Sequence, residues 1–284
     1  MARKVYNPLL DDYIELNHVF NSIISLDPGT TETIFMLGLG HLIKATDAFS
    51  YRPAEAKKLI KIGSYTHVNK ELLDKLNPDI IFTSYGAQKE LAKRLWKDGY
   101  PVYPIPVPLS VNSILDNVII IGNVLAQFSR ASSLHKELLN YVFRYRSTVP
   151  PLKVYIEFDL GGPITIGFPS HINHALEILG ARNIFSDSSD SYPIPDDNGL
   201  LIKDPDIIIY EPKRLTDYEK ERFRRNLINR GLERLLKKKI IFTAGDFLAH
   251  VGPSFISGVI PWLSSSLSQG KEEENPSNNG YNNS

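Results

Sequence analysis

The sequence predicts an α/β protein of two lobes, each built on a parallel sheet, with a long helical stretch between them. Three observations carry this. Short apolar runs alternate with helical patterns on both sides of the middle of the chain, at the spacing of parallel βαβ units. The middle, Val111 to Tyr145, repeats apolar residues in steps of three and four, which puts them on one helix face. A Pro-Asp pair leads into a buried-type strand once in each half, as Leu76-Asn77-Pro78-Asp79-Ile80-Ile81 and as Lys203-Asp204-Pro205-Asp206-Ile207-Ile208.

The elements follow in order. Residues 1–20 read as an N-terminal arm with a short strand around Tyr13 to Leu16. Ser22 to Leu26 is a short apolar run, hence a buried strand, and Asp27, Pro28 and Gly29 break it. Thr30 or Thr31 is the expected cap of a helix that reaches Leu37 and ends at Gly38 and Gly40. Strands are predicted at Leu42–Ala45, Lys61–Ile62, Asp79–Thr83 and Val102–Ile105, and helices at Lys70–Leu76 and Lys89–Trp96. Pro150 and Pro151 mark a boundary. Beyond them, strands are predicted at Lys153–Phe158, Asp206–Tyr210 and Lys239–Thr243. Helices are predicted at Ile172–Leu179, at Thr216–Leu236 with a break near Gly231, and at Ser254–Leu267. The domain bounds read as 1–108 for an N-terminal lobe with its arm, 109–149 for the connector, 150–267 for a C-terminal lobe and 268–284 for a polar, disordered tail.

A continuous helix over the connector would reach about 52 Å at 1.5 Å per residue, more than an ordinary domain helix. A break is expected near Ser129 to Ser132, where Ser can cap a second helix. That second part then forms the strut between the lobes. Two ordinary helices within one domain remain the competing reading.

Composition limits the function. The formal net charge is +0, which gives no bulk attraction to nucleic acid. The chain has no Cys, so disulfides, thiolate metal sites and a Cys nucleophile are excluded. No stretch approaches the ~18 apolar residues of a membrane span. The opening MARKVYNPLLDDYIEL lacks the apolar run of a signal peptide. No GxSxG, phosphate-cradling glycine loop or HExxH occurs, so an enzyme acting in a cleft, using Asp246 and His250 for acid–base work, is the weaker hypothesis.

The stretch SIISLDPGTTETIFMLGLG resembles the opening of class III substrate-binding proteins of ABC importers. The resemblance continues through Arg52-Pro53-Ala54-Glu55-Ala56-Lys57, Ile62-Gly63, Asn69-Lys70-Glu71-Leu72-Leu73 and Leu76-Asn77-Pro78-Asp79. It returns at Ala175-Leu176-Glu177-Ile178-Leu179-Gly180, Asn183-Ile184-Phe185 and Asp204-Pro205-Asp206, so it covers most of residues 22–265. The cobalamin branch looks nearest. What the resemblance implies is two Rossmann-like lobes with central parallel sheets, joined by a long rigid helix, and a ligand held between the lobes. It implies a non-enzymatic monomer that takes no cofactor, captures a cobalamin-like corrinoid and delivers it to an ABC permease. A haem, a ferric siderophore, or a soluble intracellular corrinoid carrier are the alternatives. An extracytoplasmic location is implied, with a cytoplasmic one left open by the opening residues.

Carrying over the family's cleft positions gives Phe49 and Tyr65 in the first lobe, and Phe158, Tyr192, Asp246, Phe247 and His250 in the second. A large flat ligand wants apolar and aromatic walls with a few polar groups. In the family, one acidic residue on each lobe meets permease arginines. Glu71 matches the first; the second falls on Asn198, with Asp196 and Asp197 beside it, and Asp197 is taken as the substitute. Two other signals read as surface features: the pair His171 and His174, since two ligands do not make a metal site, and the basic run 213–239, as a solvated helix face.

Overall fold

The computed structural model describes residues 3–16, 19–243 and 245–268, so the predicted tail beyond Ser268 lies outside the described residues. The chain divides into two compact units. The first comprises the described residues through Pro108, with Asn112–Asn140 and Val251–Ser254; the second comprises Leu109–Val111, Tyr141–His250 and the described residues from Phe255.

In the first unit, β1 (Arg3–Asn7) and β2 (Asp12–Leu16) pair as an antiparallel hairpin. There follow β3 (Ile23–Ser25), α1 (Pro28–Met36), β4 (Ile43–Asp47), β5 (Ile60–Gly63), α2 (Lys70–Leu76), β6 (Ile80–Ser84), α3 (Lys89–Lys97) and β7 (Val102–Ile105). The strands form a parallel sheet in the order β5-β4-β3-β6-β7. Ile24, Ala45, Ile62 and Ile81 from the strands meet Leu73, Leu91 and Leu95 from the helices in one apolar core. The first helix starts earlier than expected. Asp27, not a threonine, is its cap, accepting from the Thr30 N–H at 2.8 Å, with Pro28 in the first turn where its missing N–H costs nothing.

The connector consists of α4 (Val111–Val124) and α5 (Phe128–Arg144). The break lies at Leu125–Gln127, just before the predicted serines, with Ala126 in the left-handed region at φ 57°. The hairpin reaches it. The Arg3 guanidinium donates to the Asn123 carbonyl, which also accepts from the Ala126 N–H, and, at 2.7 Å, to the Val124 carbonyl, so it supplies donors to the C-terminal acceptors of α4. Helix α5 then carries the chain from the first unit into the second.

The second unit holds β8 (Lys153–Asp159), β9 (Pro163–Thr165), α6 (His171–Leu179), β10 (Arg182–Asn183), α7 (Asp197–Lys203), β11 (Ile207–Glu211), α8 (Asp217–Asn229), β12 (Lys239–Phe242) and, after a π-helical turn at Phe255–Val259, α9 (Ile260–Ser268). Strands β10-β8-β11-β12 are parallel, and β9 adds antiparallel to the end of β8. One face is packed by α8: Phe223 stacks on Tyr210 at 4.0 Å and meets Phe242 edge-on at 6.1 Å. Helix α6 ends at Gly180, whose φ of 100° suits glycine, and a Cβ there would come within 2.8 Å of the Val149 carbonyl oxygen.

The repeated Pro-Asp pair has the same job in both units. Asn77 and Asp204 end their helices in the left-handed conformation, at φ 41° and 46°. The aspartate two residues on then grips the start of the neighbouring strand. Asp79 accepts from the Ser22 N–H at 2.9 Å, and Asp206 from the Lys153 N–H at 2.7 Å. Among the described residues no helix is long and apolar enough to cross a membrane.

Candidate functional site

In open parallel sheets, ligands meet the loops at the carboxyl ends of the strands. Most of the expected site residues lie there, and the structure gathers them in three groups.

The first group belongs to the first unit. Buried Asp47 closes β4, and its Oδ1 accepts from the Phe49 N–H at 2.7 Å and the Ser50 N–H at 2.6 Å. This turn raises the Phe49 ring clear of the sheet. Tyr65, in the loop after β5, meets it edge-on with centroids 6.3 Å apart. The rings are 49% and 53% exposed, a large apolar area left uncovered. Next to Phe49 in the chain, Ser50 joins a buried hydroxyl cluster: the Thr31 hydroxyl sits 2.8 Å from Ser25 Oγ and 2.9 Å from Ser50 Oγ. The Lys61 ammonium braces the loop by donating to Thr46 Oγ1 at 2.8 Å and to the Ala56 carbonyl at 3.0 Å. Burial raises the Asp47 pKa against the pull of its backbone donors, and burial lowers that of Lys61. The Tyr65 hydroxyl is raised by burial first, then by the carboxylates of Asp27 and Asp47.

The second group is Phe158 and Tyr192. Phe158 pairs with Ile164 across the β8–β9 ladder, and the next residue in β9, Thr165, donates its N–H to the Pro193 carbonyl at 2.9 Å, which brings in the loop of Tyr192. Tyr192 is 48% exposed, whereas Phe158 is 4% exposed. The third group is the loop after β12. Phe247 meets Trp262 edge-on at 5.0 Å, and the His250 N–H donates to the Asp246 carbonyl at 2.9 Å. His250 itself is 3% exposed. Phe158 and His250 are therefore buried in this conformation, unlike Tyr192.

The expected docking residues differ in their surroundings. Glu71 is exposed in the first turn of α2, whose cap, Asn69, accepts from the Leu72 N–H at 3.0 Å. Asp197 opens α7 and is held by Arg230 Nη2 at 2.6 Å, while Arg230 Nη1 reaches buried Glu157 at 2.7 Å. Asp196 is engaged as the cap of α7. Beside this network a cavity of about 450 Å³ opens between the β8–β9 hairpin and α8, bordered by Glu157, Phe158, Asp159, Tyr210, Arg222 and Arg230.

One sequence expectation is corrected. His171 is not on the surface. It is 1% exposed, its Nε2 lies 3.0 Å from the Leu248 carbonyl oxygen, and burial holds its pKa down to about 4. His174 accepts the Val111 N–H at 3.1 Å on Nδ1. Both act in packing, and among the described residues no three His, Asp or Glu side chains gather as a metal site. The basic run lies along a solvated face, as expected, and that face carries surface ion pairs: Arg222 with Asp159 and Glu219, Arg224 with Glu221, and Arg234 and Lys238 with Asp204.

Sequence reasoning missed Asp47 and Glu211. Glu211 is 2% exposed and gathers donors from the loop after β12. The available signal was an acidic residue at the end of an apolar strand, as in ATD and IIIYE.

Comparison with known proteins gives a consistent picture. The profile of the periplasmic binding protein family matches residues 23–244. The vitamin B12-binding protein of Photorhabdus laumondii is 25% identical over 254 residues, 82% of this chain and 83% of that one. The vitamin B12-binding protein of Pectobacterium carotovorum is 28% identical over 204 residues, 66% and 70% of the two chains. Among solved structures, the periplasmic vitamin B12 binding protein of Vibrio cholerae superposes with a TM-score of 0.70 at 21% identity, covering 87% of this chain and 96% of that one. The periplasmic haem binding protein of Vibrio cholerae superposes with a TM-score of 0.75 at 19% identity, covering 89% and 100%. At these structural identities the likeness is one of fold.

Proposed function

The chain belongs to the periplasmic binding protein family, and from that premise we propose that it is a solute-binding protein that captures a cobalamin-like corrinoid for an ABC importer. The observation that carries the choice of ligand class is the exposed ring pair Phe49–Tyr65, fixed from below by Asp47. A corrinoid offers wide apolar faces and an amide-bearing edge. Aromatic walls with a few convergent polar groups are what such a ligand needs. Within the second unit, the half-exposed Tyr192 and the loop residues Asp246 and Phe247 are further candidates for ligand contact, and Phe158 and His250 are buried. Relatives that bind vitamin B12 support the same ligand class. The fold is also that of haem binding proteins, so haem is the second reading, with the same rings as its walls.

The role is binding and delivery without catalysis, in an extracytoplasmic setting, by a monomer. We assign permease docking to Glu71 on the first unit. On the second, Asp197 would exchange Arg230 for a permease arginine. Calorimetric titration with cyanocobalamin, cobinamide and haem tests the reading. Saturable one-to-one binding of a corrinoid is expected. Saturation by haem with no corrinoid response would move the assignment to haem, and no response to any of the three up to high micromolar would remove it.

A further inference from the structure

The loop after β12 is fastened around Leu248 by two buried titratable side chains. Glu211 Oε2 accepts from the Leu248 N–H at 2.8 Å and from the Thr243 hydroxyl at 2.7 Å, and its Oε1 accepts from the Ala249 N–H at 3.4 Å. His171 Nε2 lies 3.0 Å from the Leu248 carbonyl oxygen. A carbonyl only accepts, so Nε2 carries the proton. Both polar groups of the Leu248 main chain are thus held, and its side chain is fully buried. The clamp has its own supports. Glu211 ends the central strand β11, and the His171 ring is set against Phe255 at 4.6 Å, edge-on. The flanking residues carry the loop's expected ligand contacts: Phe247 on Trp262, and Asp246, whose carbonyl closes the turn to the His250 N–H.

We propose that Glu211 and His171 are positioning residues that clamp the Gly245–His250 segment in the conformation presenting Asp246 and Phe247 to the ligand, and that ionisation of Glu211 loosens this clamp. The ligand part rests on the solute-binding reading above. The loop part stands on the hydrogen bonds and on the burial of the Glu211 carboxyl group.

The physical reason is the setting of the carboxyl group. Among the described residues no cation pairs with Glu211; its partners are one hydroxyl and two backbone N–H groups. Burial disfavours the charged form more strongly than these donors favour it, and nearby Asp246 adds repulsion, so the pKa is pushed up to about 8. An open loop would let water reach the group and return it toward its ordinary value of 4.5. The clamped state therefore binds the proton more tightly than the open one. Its stability is fully present below about 4.5 and is lost as pH rises through about 8. His171 runs the other way, with its pKa lowered to about 4 by burial and by His250, so its contribution is lost as pH falls through about 4. The titratable groups around the clamp are Asp246 and His250 on the loop and His174 on α6, which is tied to the Val111 N–H.

The test uses ligand-free protein first. The chain has two tryptophans, so a Trp96→Phe background leaves Trp262, in contact with Phe247, as the reporter of loop position. Trp262 emission is expected to change as pH rises through about 8, to stay flat between pH 6 and 9 in Glu211→Gln, and to sit at its alkaline value throughout in Glu211→Ala. With ligand, Glu211→Ala should weaken corrinoid affinity about tenfold, the scale of a lost buried hydrogen-bond partner, while Glu211→Gln restores the affinity without its alkaline fall. A Trp262 signal in the parent that is flat from pH 5 to 9.5, or one that titrates unchanged in Glu211→Gln, overturns the clamp. Corrinoid affinity unchanged in Glu211→Ala overturns its link to the ligand. A parent that titrates as expected but binds no corrinoid supports the clamp and removes the solute-binding reading instead.

Discussion

Replacing Arg230 with methionine is expected to destabilise the second unit in a strongly pH-dependent way. Arg230 Nη1 lies 2.7 Å from Glu157 Oε2 and Nη2 lies 2.6 Å from Asp197 Oδ1; the Glu157 side chain is 4% exposed and that of Asp197 39%. Asp197 can turn to water, so its loss counts for about 1 kcal/mol or less. Glu157 has only the Tyr155 hydroxyl left. A buried carboxylate stripped of its cation costs about 3–5 kcal/mol. Taking up a proton is the alternative. From the ordinary value of 4.5 that costs about 3.4 kcal/mol at pH 7 and about 0.7 kcal/mol at pH 5. The cheaper route sets the result. Urea unfolding followed by circular dichroism should show a loss of about 3–4 kcal/mol at pH 7, shrinking to about 1–2 kcal/mol at pH 5. Glu157→Gln in the same chain should recover most of the loss at pH 7. A loss below about 1 kcal/mol, an equal loss at both pH values, or no recovery in the double variant would refute the reasoning.

Three further outcomes are expected. Phe49→Ala and Tyr65→Ala should each weaken corrinoid binding about tenfold by calorimetry, with thermal stability unchanged because both rings are about half exposed; unaltered affinity in both would count against the aromatic wall. Phe223→Ala should cost about 3–5 kcal/mol in urea, since the fully buried ring fills the space between Tyr210 and Phe242; a cost below about 1 kcal/mol would mean the core closes around the gap. Glu71→Lys should leave ligand affinity unchanged and cut uptake into proteoliposomes holding the cognate permease about tenfold, as expected when an exposed charge at a docking surface is reversed; full uptake would remove Glu71 from the interface.

The strands were legible because they are buried on both faces. Runs such as DIIFT and KVYIEF read the same whichever way they face, and two of the helices needed only periodicity and a stop, Lys70–Leu76 before Pro78 and the end of α6 at Gly180. Elements defined by a partner were not legible. β1 is a polar RKVYN run that exists through its pairing with β2, and β10 is two residues long. At the break in the connector the end of α4 is bonded by Arg3, more than a hundred residues away along the chain, which no local pattern could show. The same holds at the site. Phe49 and Tyr65 came from the family resemblance, and both stand exposed on loops after strands. Glu211 offered only an acidic residue at the end of an apolar strand, and His171 only its spacing from His174; what makes them notable is the main chain of Leu248 packed over them. His171 and His174 looked like a surface pair because spacing cannot reveal that Phe255 and Leu248 cover the first.

The most direct test of the central claim is native mass spectrometry of the purified chain incubated with equimolar cyanocobalamin, haemin and a ferric hydroxamate. A one-to-one corrinoid adduct is expected to dominate the spectrum and to be lost when Phe49 and Tyr65 are both replaced by alanine. A spectrum holding only the unliganded chain, or a corrinoid adduct untouched by that double replacement, would contradict it.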